Sequence, residues 1–382
     1  MKRIGWLYAA CALAIGAYLF GASGCTTTSQ KQTATRTRTA VPPTSTPTTT
    51  STITTTYTST RTFTFTPSNT WTPCSGCGFV AVLSGRDAAT TPQAIVYTSS
   101  VGGGGTLASW TSQTVLTAGA SRQGGAAYYG GYIYYMGGLT FGGAYSSTTY
   151  SATAAGTTVG NFTSVASFPN PSREFGVCTN GSTIYVAGGS GASYFSDVYS
   201  ATLGSSGTIS SWTSNAAMPG VWSFGPMVTD GSYVYCCGGV TGTSNYDSTV
   251  YVGTISGGVV ASWTTTNPMP TGQQGSRGIM IANKIYVLGG STAGGAASTV
   301  YEGTASGGSV TWVTGSPLPV IMSFQAGPIL SAGYLYMCAG AMGGVATTST
   351  VYSAPYSGGA IGSWSANTAL PLAISAASGS SW

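Results

Sequence analysis

From residue 79 to the C-terminus, this chain repeats a module of about fifty residues six times, and no other feature restricts its fold as much. An apolar run closes on small residues at Gly85, Gly138, Gly189, Gly239, Gly290 and Gly340, at intervals of 53, 51, 50, 51 and 50. A Val-Tyr or Thr-Tyr step follows at Tyr97, Tyr150, Tyr199, Tyr251, Tyr301 and Tyr352, then an aromatic at Trp110, Phe162, Trp212, Trp263, Trp312 and Trp364. Most modules end in an apolar-Pro pair, from Phe168-Pro169 to Leu370-Pro371. Three markers kept in phase over six units are more than compositional bias produces.

Each module holds four β-rich runs separated by Gly, Ser, Asn and Asp, without helical periodicity. In the fourth module these are Ser223 to Thr229, Tyr233 to Cys237, Thr249 to Thr254 and Val259 to Thr265. Four strands per unit, six times over, predict an all-β fold, a six-bladed β-propeller. The glycine pair suits a strand end where backbones approach closely or φ turns positive. Asn180-Gly181 and Asp230-Gly231 are hairpin dipeptides joining first and second runs. The chain opens on a second-strand run, Phe79 to Leu83, and ends on a first-strand run, Ile374 to Trp382, that lacks its own successor. The C-terminal strand is therefore expected to pair into blade 1 and close the ring.

A second strand ending in Gly-Gly, a tyrosine in the third, a tryptophan in the fourth and an apolar-Pro turn together resemble the kelch-repeat propellers. The resemblance covers 79–382. It departs in blade 1, where Ser84-Gly85 replaces Gly-Gly and no proline follows Leu116, and in blade 2, where Phe162 replaces tryptophan.

The first 78 residues differ in kind. Met1, Lys2 and Arg3 precede an uncharged apolar run from Ile4 to Phe20, which reads as an export signal over 1–24. Ala22-Ser23-Gly24-Cys25 resembles the lipobox of bacterial lipoproteins, which implies that Cys25 is acylated; an uncleaved signal anchor is the alternative. Either way, the positive end stays inside and the remainder lies outside the cytoplasmic membrane. Residues 26–73 carry 23 threonines in 48 positions, a composition that cannot bury enough apolar surface to offset chain entropy. The segment 25–78 is expected to be a disordered, Thr/Pro-rich stalk, although the alternation around Tyr57, Phe63 and Phe65 also fits a strand. The propeller then occupies 79–382.

Absent residues exclude as much as present ones. Without histidine there is no Ser-His-Asp triad, no His-ligated metal and no histidine pH switch; the copper chemistry of galactose oxidase, a kelch enzyme, is excluded on the same ground. No cofactor or metal is expected. The net charge of +5 is carried by the first 78 residues. From residue 79 onward, Arg86, Arg122, Arg173, Arg277 and Lys284 face six acids, too few and too scattered for a nucleic-acid partner. Cys74 and Cys77 in CSGC are read as a local disulfide clamping the junction of stalk and blade 1; a redox site would need a βαβ context and a metal site two more ligands. Cys178, Cys236, Cys237 and Cys338 fall in strand runs where sister blades carry aliphatics, as core filler does.

Arginine opens the first run of three modules, Arg122, Arg173 and Arg277, where others have Ser223, Ser323 and Ser375. Similar kelch propellers aim an arginine at that position into the ligand pocket, and guanidiniums around one mouth would hold carboxylate or sulfate by paired hydrogen bonds. The alternative is that each arginine only braces its blade. Loops after the glycine pairs are expected to add Arg86, Asp87, Tyr145, Tyr194, Phe195 and Tyr246 to that face, with Trp222 and Phe224 just before the fourth inner strand.

The reading is a surface-anchored binding module whose arginine-lined mouth takes an acidic glycan or protein, and whose membrane contact is through a lipid anchor only. Two alternatives stay open. Six-bladed kelch propellers include an exported bacterial sialic-acid mutarotase, and such ring chemistry needs an acid and a base, for which Glu174 beside Arg173 is the one candidate. The third reading is a scaffold or adhesin without a pocket.

Overall fold

The computed structural model describes residues 78–89, 91–116, 121–242, 244–342 and 346–382, all within one compact unit, Thr66–Trp382. The expected export signal, the expected stalk up to residue 77, Cys25, Cys74 and Cys77 lie outside the described residues, and Gly78, assigned to the stalk, opens the first strand. Apart from one 3-10 turn at Gly103–Gly105, every regular element described is a strand.

The strands form six antiparallel blades. Blade 3 shows the plan most simply, running outward through Gly176–Asn180, Thr183–Ala187, Val198–Thr202 and Trp212–Ser214. In blade 4 the predicted runs are found with longer middle strands, Tyr233–Thr241 and Asp247–Ser256, before the outer Val259–Thr266. Asn180-Gly181 and Asp230-Gly231 make the expected turns: Gly181 and Gly231 have φ of +55° and +95°, and Asp230 Oδ1 accepts the amides of Ser232 and Tyr233.

Closure follows the expected route. The C-terminal strand Ser378–Ser381 lies antiparallel to Gly78–Leu83, with Val80 opposite Ser381 and Leu83 opposite Ser378. Trp382, one residue further, stacks on Phe79 at 6.1 Å and on Tyr128 of blade 2 at 5.7 Å, and its indole donates to the Gly156 carbonyl. The six inner strands touch one another in a closed circuit: Ser378–Ser381, Gly125–Tyr129, Gly176–Asn180, Met227–Thr229, Arg277–Ile281 and Ala326–Ser331.

There is no single core. Six buried clusters each draw on two adjacent blades, one cluster for each of the six contacts around the ring. The repeat's markers fill these wedges. Trp212, Trp263 and Trp312 on the outer strands each donate an indole N–H to a carbonyl of the preceding blade, Ala166, Ala216 and Asn267. Trp110 of blade 1 does the same to Thr368 of blade 6, across the seam. Cys236, Cys237 and Cys338 are buried in the wedges and Cys178 packs against one of them; burial raises all four thiols above their ordinary range. They are filler, as their strand positions indicate.

The glycine pair has a specific task. The second glycine of each pair turns its amide out of its own blade to the next one: Gly138 to Ser172, Gly189 to Trp222, Gly239 to Gln273 and Gly290 to Met322, all within 2.8 Å. Gly138 has φ +92°, and a Cβ there would stand 2.6 Å from the Arg122 carbonyl. These bonds fix where each inner strand begins, and hence where the mouth residues stand.

Candidate binding site at the channel mouth

One residue per blade, at the start of each inner strand, donates its amide to the equivalent carbonyl of the blade before. Gln123 donates to Ala376, Glu174 to Gln123, Phe224 to Glu174, Gly275 to Phe224, Phe324 to Gly275 and Ala376 to Phe324, at 2.7–2.9 Å. The six bonds make a closed backbone ring around the channel. All six residues have φ between +50° and +63°, and only one of them is glycine. A left-handed conformation costs an ordinary residue roughly 1–2 kcal/mol, so the ring's hydrogen bonds hold five strained residues at one level. Strain of this kind clusters at ligand sites in many proteins, which makes the ring a candidate site.

The residue before each ring member pairs with its own blade's second strand, as Arg173 does with Ser190, both amides bonded. This places Arg122 and Arg173 at the mouth. Arg86, from the second strand of blade 1, bridges Ser375 in the equivalent way, and its Nε donates to the Ser375 hydroxyl at 3.3 Å. Burial, and then the neighbouring charges of Arg86 and Arg173, lower Arg122 from its ordinary value. Behind Arg122, the buried Tyr135 hydroxyl donates to the Ser121 carbonyl and fixes the backbone that carries it. Arg173 Nη1 donates to Gln123 Oε1 at 2.8 Å, and its guanidinium lies 5.9 Å from the Tyr145 ring and 5.8 Å from the Phe224 ring. Phe224 meets Phe324 edge-on at 6.2 Å above Gly275.

Arg277 does not belong to this cluster. The blade 5 residue at the Arg122 and Arg173 level is Gln274, which pairs with Ser291. Arg277 stands three residues further along, on the channel side of the ring. There its Nη1 meets Glu174 Oε2 at 3.2 Å. Glu174 is carried by blade 3 and Arg277 by blade 5, so the ion pair crosses the channel instead of joining neighbouring blades. Both line a cavity of about 160 Å3 whose walls include seven glycines, and Glu174 Oε1 is buried there without a partner among the described residues. Glu174 is thus beside Arg173 in the chain but on the opposite side of the backbone ring.

Two further expectations are corrected. Trp222 presents no surface: it is fully buried between blades 3 and 4, its indole donating to the Gly238 carbonyl at 2.6 Å. Asp87 braces its own loop, accepting the Thr91 amide and the Gln93 side chain. Tyr145, Tyr194 and Tyr246 are exposed, at 37%, 40% and 36%, with Phe141 at 74%; Phe195 is half-buried between blades 3 and 4. Gln123 and Phe324 at the mouth escape the sequence reading, although each stands one residue after a recognised strand opening.

The far end of the channel holds a larger cavity, about 540 Å3, bordered by Tyr128, Asn180, Asp230 and Asn283. Its acid is already spoken for, with Asp230 Oδ1 on two turn amides and Oδ2 on the Tyr235 hydroxyl, and Asn180 donates to the Gly231 carbonyl. At the mouth, by contrast, Arg86 and Arg173 form no ion pair among the described residues. The chemistry left open is the acceptance of an anion.

No family model and no curated protein matches the chain. Among solved structures, the one described as "Structure of YjhT" is similar over 68% of this chain and 86% of that chain, with a TM-score of 0.53 at 14% identity. At that identity the likeness is one of fold, and it agrees with the six blades counted here: the described chain is a six-bladed β-propeller.

Proposed function

We propose that this propeller is the binding head of an exported, surface-anchored protein, and that Arg86, Arg122 and Arg173 hold the carboxylate or sulfate of an acidic glycan or protein at the channel mouth. One observation carries the reading: Arg86 and Arg173, which form no ion pair among the described residues, stand with Arg122 around the backbone ring while the described acids are engaged elsewhere. Asp87, Asp197, Asp230 and Asp247 bond within loops, Glu302 pairs with Lys284, and Glu174 pairs with Arg277 beyond the ring. Arg122, lowered by burial and then by its like-charged neighbours, is favoured in its charged form when an anion joins them, and guanidinium forks match carboxylate or sulfate oxygens in pairs.

The topology supports display. Gly78, where the expected stalk would join, lies at the Ser381 end of the inner strands, so the arginine mouth opens on the opposite face. Titration calorimetry of sulfated and uronic saccharides should show binding that weakens at least tenfold, about 1.4 kcal/mol, in Arg173→Ala. Equal affinity in the wild type and in Arg173→Ala, Arg122→Ala and Arg86→Ala would reject the mouth as the site.

Acid-base chemistry on a sugar has one observation in its favour, the unpartnered Glu174 Oε1 in the channel cavity. Exchange at the anomeric carbon of free sialic acid, lost in Glu174→Gln, would move the function to that side of the ring.

A further inference from the structure

We infer that the ligand is an oligosaccharide chain with one acidic unit followed by neutral pyranoses, the acid seated on the arginines and the neutral rings laid over tyrosines of blades 2 to 4. This rests on the reading of the mouth given above and extends it from a single charged group to a chain.

The rim is asymmetric. The loops that follow the glycine pairs of blades 2, 3 and 4 carry Phe141 and Tyr145, Tyr194, and Tyr246, which include four of the six large hydrophobic side chains exposed among the described residues. The corresponding stretches of blade 1, from Arg86 to Ala94, blade 5, from Ser291 to Ser298, and blade 6, from Ala341 to Ser349, hold no aromatic. Singly exposed aromatics need no explanation, but a run over three consecutive loops does. The run is joined to the arginines at one end. Tyr145 lies against the Arg173 guanidinium, and Tyr194 bridges Ser190, the residue that pairs with Arg173.

Charge fixes the chemistry of the occupant. Positive charge stops at Arg173: the blade 3 and blade 4 loops bring Asp197, bonded to Asn170, and Asp247, bonded to the Thr249 amide and the Thr241 hydroxyl, and no further cation. A ligand charged at every unit would place anions beside those carboxylates. Neutral sugar rings instead offer C–H faces to the flat side of tyrosine and hydroxyls to its polar tip, the two-sided surface that an exposed tyrosine provides. A lone sugar acid would occupy the arginines and leave Tyr194 and Tyr246 uncovered.

The test titrates the full chain, in detergent, with glucuronic acid, with an aldotetraouronic acid (one glucuronic acid on three neutral xylose units), with neutral xylotetraose and with an acidic tetrapeptide. The expected result is aldotetraouronic acid bound at least tenfold more tightly than glucuronic acid. Tyr194→Ala and Tyr246→Ala should erase most of that gain, weakening aldotetraouronic acid far more than glucuronic acid, and Tyr194→Phe should retain it. Arg173→Ala should weaken both acids. Equal affinities for the two acids, with Arg173→Ala still harmful, overturn the chain and leave the mouth reading standing. Tyrosine-dependent binding that ignores Arg173→Ala overturns the mouth reading. Xylotetraose bound as tightly as the acid, or the peptide bound with the same tyrosine dependence, overturns the chemistry assigned to the occupant.

Discussion

Charge is handled in opposite ways on the two sides of the backbone ring. At the mouth, Arg86, Arg122 and Arg173 repel one another; in the channel, Arg277 and Glu174 neutralise each other at 3.2 Å. Arg173 and Glu174 are chain neighbours, and only the ring, with its left-handed backbone at Glu174, sends their side chains to different sides. The difference separates a charge that is neutralised within the fold from charges that the proposed function gives to a ligand. An ion pair across a channel couples two blades that are not neighbours in the ring, whereas like-charged guanidiniums gathered at one mouth gain nothing from one another and favour the proposed anionic ligand.

The contrast depends on the ring being closed, and the most drastic way to break it is to open the ring. Deleting residues 374–382 removes Ala376, one of the six ring members, together with the whole inner strand of blade 1 and the Trp382 ring stacked between Phe79 and Tyr128. Ile374 and Ala377 also leave the wedge between blades 6 and 1. The loss is on the order of 5 kcal/mol or more, comparable with the whole stability of a typical domain. The deleted protein should show no cooperative thermal transition by circular dichroism. A sharp transition near that of the intact chain would mean that blade 1 holds without its inner strand.

A smaller change separates the two sides directly. Glu174→Gln keeps the shape but leaves the Arg277 guanidinium facing an uncharged amide in a site where the glutamate side chain is 2% exposed and the arginine 21%. The arginine's partial exposure moderates the penalty, so the expected loss is about 2 kcal/mol, a melting temperature lower by roughly 5 °C. Arg173→Ala at the mouth should move the melting temperature far less, because no carboxylate loses its partner there. Glu174→Leu combined with Arg277→Leu should recover part of the loss, as replacing both members of a buried pair by apolar groups commonly does. If Glu174→Gln melts with the wild type, the channel pair is not structural.

Much of this was legible in the sequence, for reasons that also explain the errors. Closure by Ile374 to Trp382 could be read because a missing first strand at one end and a spare one at the other are visible in the phase of the repeat. The turn glycines and the wedge tryptophans follow from backbone and packing chemistry that acts within one module. Arg277 was misplaced because Ser276-Arg277 imitates Ser121-Arg122 and Ser172-Arg173. Spacing carried the correction: Arg122, Arg173 and Gln274 each stand sixteen residues before the second glycine of their pair, and Arg277 only thirteen. Trp222 looked like a platform because it borders the mouth in sequence, yet its neighbours Gly176 and Gly225 leave the space into which the indole packs. The backbone ring itself had no signature, since Gln, Glu, Phe, Gly and Ala share no side-chain property; what they share is a backbone conformation imposed by the blades on either side.

The smallest expected effect is also the most discriminating between binding and catalysis. Arginines remain charged throughout the physiological range, the chain has no histidine, and the thiols and the buried tyrosines Tyr134 and Tyr135 are pushed upward, Tyr134 to about 12. Burial, and then Arg86 and Arg173, lower Arg122, a shift that disfavours its charged form, so any loss of anion binding through this group lies on the alkaline side. Below that limb nothing at the mouth gains or loses charge, and affinity for a ligand that is already ionised should be flat from about pH 5 to pH 8. Calorimetry at several pH values, in buffers of different ionisation enthalpy, would show no proton taken up or released on binding. A bell-shaped profile with a proton exchanged would require a titrating carboxylate at the ligand, and Glu174 is the acid carried by the ring itself, so that outcome would erase the distinction between the two sides of the ring.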